Sequence, residues 1–249
     1  MINSELENQV NKLLHSSSCS DIVPNGLQVE GRRQIKKVIT GVTACYDLLH
    51  EAVCVKADAV VVHHGFFWKK ECVRIKGMKQ RRLKILLEHD INLFSWHLPL
   101  DIHPKFGNNV KLSELLGIDI KGEVVKPLVL WGELRHALSV DSLTQRISKA
   151  LSREPLYCGA RNAPSLIKSI AWCSGSGHVF VDAAAAFGVD AFLSGEVSEQ
   201  TVHSAREQGL HFFSAGHHAT ERGGVKALGE WLAREYNLDV RFVDIDNPV

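Results

Sequence analysis

Apolar residues recur at helical spacing in Leu6, Val10, Leu13 and Leu14, and Ser4 is available as a cap ahead of Glu5 and Glu7. The chain is therefore predicted to open on an amphipathic helix. Pro24-Asn25-Gly26 reads as a turn, and Lys37 to Val42 reads as a strand. The two periods then alternate. Leu48 to Val53 is helical, Ala57 to Val62 a buried strand, Lys79 to His89 a helix, Ile91 to Trp96 a strand, and Asn109 to Leu116 a helix ended by Gly117. In the helix after Lys76, the cations of the run to Lys84 alternate with Met78, Leu83, Leu86 and Leu87, which predicts a solvated face opposite a buried stripe.

The middle of the chain is less regular. Val124 to Leu134 is strand-like around Pro127, Ser142 to Leu151 is helical, and Pro155 to Cys158 is a short strand before a loop from Gly159 to Pro164. Alternation resumes with a strand at Ile167 to Cys173, a helix at His178 to Phe187, a strand at Asp190 to Ser194 and a helix at Glu199 to Gln208. A strand at His211 to Ser214, a helix at Glu221 to Tyr236 and a final strand at Val240 to Ile245 follow. Such alternation predicts an α/β fold with a layered, largely parallel or mixed sheet. The expected organisation is one unit over residues 1–249, built from two intertwined lobes of approximately 1–122 with 190–249, and 123–189.

Composition narrows the class further. Hydrophobic residues make up 45% and charged residues 23% of the 249 positions, as in an ordinary globular chain. Lys and Arg total 29 against 28 acidic residues, so no global field favours nucleic acid or an anionic membrane. The six cysteines form no CxxC pair or framework spacing, which suits a reducing compartment. The acidic, helical N-terminus lacks the pattern of a secretory signal, and no apolar run approaches the length of a membrane span. A cytoplasmic protein is expected.

Candidate chemistry concentrates where strand-like runs give out. His63-His64 follow Val60 to Val62, His97 and Asp101 follow Phe94 to Trp96, and His217-His218 and Glu221 follow Phe212 to Gly216. In an open α/β sheet, the ends of neighbouring strands meet at one edge, so distant clusters can converge on one pocket. Imidazole and carboxylate ligands suit zinc, iron or manganese. Successive strand side chains face opposite ways, so His63 and His64 fit two ions better than one unless the strand has already bent. His217 precedes Glu221 by four residues, and a helix opening near Thr220 would put them on one face. Of the remaining histidines, His15, His50, His89, His136 and His203 lie in polar stretches and are expected at the surface. The Ser174-Gly175-Ser176-Gly177 turn could receive a phosphate on its backbone amides, although a tight strand-to-helix turn needs the same glycines. Glu196, after the strand to Ser194, could supply a pocket carboxylate or serve as a helix-start charge.

Five stretches together resemble the Nif-three-like family, whose bacterial members are labelled GTP cyclohydrolase I type 2 homologues. They are Pro24 to Gly31, Ala57 to Gly65, His97 to Asp101, Ser194 to Glu196 and Gly216 to Glu221. The resemblance implies a dinuclear metal centre with ligands at His63, His64, Asp101, His217 and Glu221, and it favours His217 over His218. His97 matches a family histidine beside the centre, suited to supporting a ligand or moving a proton. A ring-shaped hexamer of identical subunits with metal sites facing an internal cavity is also implied.

The leading functional expectation is therefore a hydrolase using two divalent ions, with His97 and Glu196 as proton-transfer groups. Its substrate would be a small molecule, with nucleotides favoured by the family label, and the reaction either cyclohydrolase-like or phosphoester cleavage. The competing expectation is a metal-binding regulatory or storage protein without turnover, since ligands must be deprotonated and prearranged in either case.

Overall fold

The structure, a computed structural model, describes residues Met1 to Val249. Two compact units divide the chain, the first formed by Met1–Phe106 with Gly224–Asp246 and the second by Gly107–Gly223 with Asn247–Val249. Each is built on one mixed sheet, as the alternating periods predict.

The first unit contains helices α1 (Asn3–Leu14), α2 (Tyr46–Cys54), α3 (Met78–Glu88) and α4 (Leu98–Ile102). Its strands are β1 (Gly26–Val29), β2 (Lys37–Thr43), β3 (Ala59–His64) and β4 (Asn92–Ser95). With a last strand, Asp239–Phe242, they form a sheet in the order β1, β4, β3, β2, last strand. Only β1 runs antiparallel to its neighbour. The apolar run in β3 is continuous because both faces are covered. Val61 packs on one side with Leu6 and Val10 of α1 and with Val225, Leu228 and Leu232 of the long C-terminal helix Arg222–Tyr236. Val60 and Val62 pack on the other side with Leu48, Leu49, Leu83 and Leu86 of α2 and α3. The period of two in β3 thus distributes its side chains between two cores.

The second unit contains α5 (Asn108–Leu116), the β5 (Ile118–Val125) and β6 (Val129–Leu138) hairpin, α6 (Val140–Leu151) and β7 (Leu156–Cys158). It continues with β8 (Ile167–Cys173), α7 (Val181–Phe187), β9 (Ala191–Ser194), α8 (Glu199–Glu207), β10 (His211–Ser214) and α9 (His217–Thr220). After these, the helix Arg222–Tyr236 is α10 and the strand Asp239–Phe242 is β11. The sheet order is β5, β6, β8, β9, β10, β7, with a parallel centre of β8, β9 and β10. Strands β9 and β10, which the expected lobes grouped with the N-terminal part, are hydrogen-bonded into this second sheet.

Several elements differ in detail from expectation. Helix α1 starts at Asn3, and Ser4 lies inside it with its amide donating to Asn3 Oδ1 at 2.8 Å. Pro127 occupies the turn of a hairpin, not the middle of one strand, because proline cannot donate to a ladder. On α3, Leu83 and Leu86 are buried, but Met78 and Leu87 are 54% and 64% exposed, so the buried stripe is narrower than the pattern suggests. His15, His50, His89, His136 and His203 are all exposed, His136 on strand β6. No helix is long and apolar enough to cross a membrane.

Candidate metal centre

In the first unit, parallel strands β3 and β4 deliver their C-terminal ends side by side, with Val62 paired to Ser95. His63 and His64 are the last two residues of β3, and His97 caps the short helix that carries Asp101. Strand alternation would send neighbouring side chains apart, yet the two rings lie 4.5 Å apart between centroids. His97 joins them at 5.1 Å from His63 and 5.8 Å from His64. The ligand nitrogens of all three histidines fall within 4.8 Å of one another, close enough to share an ion.

His63 is fully buried, and its tautomer follows from its partners. Nδ1 lies 3.0 Å from the Trp96 carbonyl, which can only accept, so Nδ1 carries a proton. Nε2 therefore faces Asp101 Oδ1 at 3.4 Å. Two lone pairs would repel there, so this contact calls for a second proton or a cation. His64 Nδ1 is 3.1 Å from the Thr43 hydroxyl on the neighbouring strand.

Asp21, which the sequence pattern did not single out, fixes His97. Its Oδ1 lies 2.9 Å from His97 Nδ1, its Oδ2 accepts from the Leu98 amide at 2.9 Å, and Asn25 donates to it at 3.1 Å. Burial alone would raise the Asp21 pKa, but the hydrogen bonds from His97 and Asn25, the His97 charge and the Leu98 amide outweigh it, leaving the carboxyl well below the usual range. Asn25 also accepts from the His97 amide at 2.8 Å, so the Pro24-Asn25-Gly26 turn is a clamp on the histidine. The only sequence signal for Asp21 was its position ahead of that turn.

In the second unit, α9 opens at His217, earlier than expected, after Gly216 with φ of +96°. His217 Nε2 lies 3.0 Å from Glu221 Oε2, and Nδ1 lies 2.6 Å from Glu196 Oε1. The other Glu196 oxygen faces His178 Nδ1 at 3.8 Å. Burial would lower the His217 pKa, yet hydrogen bonding to Glu221 and Glu196 and their charges raise it to about 9. A proton held that strongly marks a place that attracts positive charge. The backbone amide of the next residue, His218, donates to Val249 O at 3.0 Å.

The glycine turn after β8 serves this pair. Gly175 has φ of +59°, and a Cβ there would strike the Glu221 carboxylate and come within 3.0 Å of His217 Nε2. Its amide donates to Thr220 Oγ1 at 3.0 Å, and the Ser174 amide donates to Asn109 Oδ1 at 2.8 Å. These two amides are thus committed within the protein, and the close approach at Gly175 and Gly177 leaves no room for a Cβ.

His63, His64, His97 and Asp101 therefore come together in the first unit, and Glu196, His217 and Glu221 in the second. Fold and site together define a mixed α/β protein with histidine and carboxylate groups, at the ends of its strands, that could hold a metal ion. A family model described as Duf34/NIF3 (NGG1p interacting factor 3) matches residues 1–248, and the chain belongs to that family. Proteins named GTP cyclohydrolase 1 type 2 homolog from Salmonella typhimurium and Escherichia coli K12 are each 58% identical over 248 residues, covering 100% of both sequences. A solved structure described as protein ybgI of unknown function matches with a TM-score of 0.98 at 57% identity over 100% of both chains. TTHA1606 from Thermus thermophilus matches with a TM-score of 0.89 at 30% identity, again over 100% of both chains.

Proposed function

We propose that His63, His64 and Asp101 together with His217 and Glu221 hold two divalent cations, and that the protein is a metal-dependent hydrolase acting on nucleotides. The observation that carries this reading is the facing of imidazole Nε2 and carboxylate oxygen at His63–Asp101 and again at His217–Glu221. In each pair Nδ1 is engaged by an acceptor, the Trp96 carbonyl in one and Glu196 in the other. Such outer partners fix the ring orientation and the tautomer that presents Nε2 to a metal. Zinc, iron and manganese all suit nitrogen and oxygen donors without thiolate.

When bound, such a pair of ions lowers the pKa of water from about 15.7 to about 7 and stabilises charge on attacking and leaving groups. The chain's own residues supply the remaining functions. His97 is oriented by Asp21 through Nδ1, which leaves Nε2 to exchange a proton with substrate or solvent. Glu196 orients His217 and, with His178 on its other oxygen, offers a route for a proton leaving the site. Cyclohydrolase-like and phosphoester reactions both need these parts.

The test is metal analysis of the purified protein followed by turnover of a nucleotide and phosphoester panel with and without chelator. His63→Ala and Glu221→Ala should each lose bound metal and turnover together. Turnover that survives in a metal-free variant would refute the hydrolase reading, and bound metal with no turnover of any substrate would favour a storage or regulatory protein.

A further inference from the structure

The segment between β3 and α3, from Gly65 to Gly77, is thirteen residues long and has no regular structure. Irregular loops longer than about twelve residues are uncommon in compact domains, and are usually either functional or linker segments. This one begins directly after His64. Its start is pinned, with Phe66 buried in the core and its amide donating to Gln28 Oε1 at 2.6 Å. Trp68, half-buried, has its ring centroid 5.3 Å from His97 in an edge-to-face contact and 5.9 Å from His64. The far end is also tied, by Lys79, whose ammonium lies 3.1 Å from Glu71 and 5.0 Å from the centre of the Phe67 ring.

Between these anchors every residue from Lys69 to Met78 is exposed. The loop carries Lys69, Lys70, Arg74 and Lys76 against Glu71 alone, a balance of four minus one, or +3, where the whole chain has a net charge of +1. Glu71 is already matched by Lys79, and no ion pair engages the four cations. A solvated helix face does not explain them, because they precede α3. Val73 and Ile75 stand among them at 88% and 59% exposure.

We infer that this loop is the recognition element for the substrate, and that it selects a nucleoside polyphosphate. The inference rests on the hydrolase reading of the adjacent histidines. Four flexible cations within eight residues suit a chain of phosphates better than a single carboxylate or monoester, because each phosphate adds charge and acceptor oxygens. Trp68 is placed to stack on the base, and every base offers a π face. The loop thus supplies affinity for the ends of the ligand that the histidine set does not touch.

The experiment measures binding of GTP and of inorganic tripolyphosphate to the full-length metal-loaded protein by calorimetry. Wild type is compared with a quadruple variant, K69Q/K70Q/R74Q/K76Q, and with Trp68→Ala, with metal content determined for each. The quadruple variant should bind both probes at least tenfold more weakly. Trp68→Ala, with its metal retained, should lose affinity for GTP about tenfold while tripolyphosphate affinity stays within twofold. Unchanged GTP affinity in the quadruple variant overturns the inference, as does tighter binding of single-stranded DNA than of GTP. Because binding is read without turnover, lost loop binding with intact turnover leaves the hydrolase reading standing, and intact loop binding without turnover leaves the loop assignment standing.

Discussion

Gly175 shows how much of the second unit's site rests on a missing side chain. Its positive φ and its closeness to Glu221 both exclude a Cβ. Gly175→Ala should therefore destabilise the protein by about 1–3 kcal/mol, the usual cost of a strained left-handed residue, and displace the carboxylate. Thermal unfolding and metal content measured side by side would check this, and a variant with normal metal content would show that the turn relaxes freely. Glu196 is a separate case, because it touches His217 through Nδ1. Glu196→Gln keeps the shape and removes the charge, and the expected outcome is about a 10–100-fold loss of metal affinity in a competition assay. Asp21 gives a pH dependence of definite sign. Its pKa is lower folded than unfolded, so its stabilisation is complete above the unfolded value of about 3.9 and disappears as pH falls through the folded value. Melting temperatures from pH 6 to pH 2 should fall more steeply in wild type than in Asp21→Asn, and the variant should be the less stable protein at pH 6.

At the scale of elements, the periodic segments were legible and their edges were not. Strands β8 and β10 run over the residues that their pattern marks, and Gly117 ends α5 in the left-handed conformation as expected. The apolar residues of β8, Ile167 and Ile170 to Cys173, need no tertiary information to be recognised. What the pattern could not supply was local hydrogen bonding. Helix α6 begins at Val140, two residues before the expected start, because Ser139 Oγ accepts from the Ser142 amide. Removing that cap in Ser139→Ala should cost about 1 kcal/mol, read as a lower urea midpoint with unchanged slope. The site divides in the same way. His63, His64, Asp101, His217 and Glu221 stand out as histidine and carboxylate at strand ends, whereas Asp21 and Thr43 are ordinary polar residues until the fold sets them against a ring nitrogen, as is His178 until it meets the Glu196 carboxylate. The exposed Met78 and Leu87 on α3 show the converse, since a helical period identifies candidates for a core without saying how wide that core is.

For the whole molecule, the decisive feature is that the first unit is made from both ends of the chain and the second from what lies between. The last residues also return to the second unit, where Val249 O accepts from the His218 amide and Pro248 O accepts from Arg153. Deleting residues 247–249 should therefore loosen the turn that presents His217, without disturbing the first sheet. Faster hydrogen exchange confined to residues 216–221 would report this, and exchange unchanged there would exclude it. A further consequence concerns the protein as it is made. Strand β11 joins the first sheet beside β2, pairing Asp239 with Lys37 about two hundred positions earlier. A ribosome has thus made every other strand of both sheets before the first sheet can acquire its final edge, and the inserted middle unit precedes that edge strand along the chain. Chains truncated after Gly223 and released from the ribosome should yield a protease-resistant fragment from the middle and leave β2 with an open flank, so the two units differ in how long each depends on protection from aggregation.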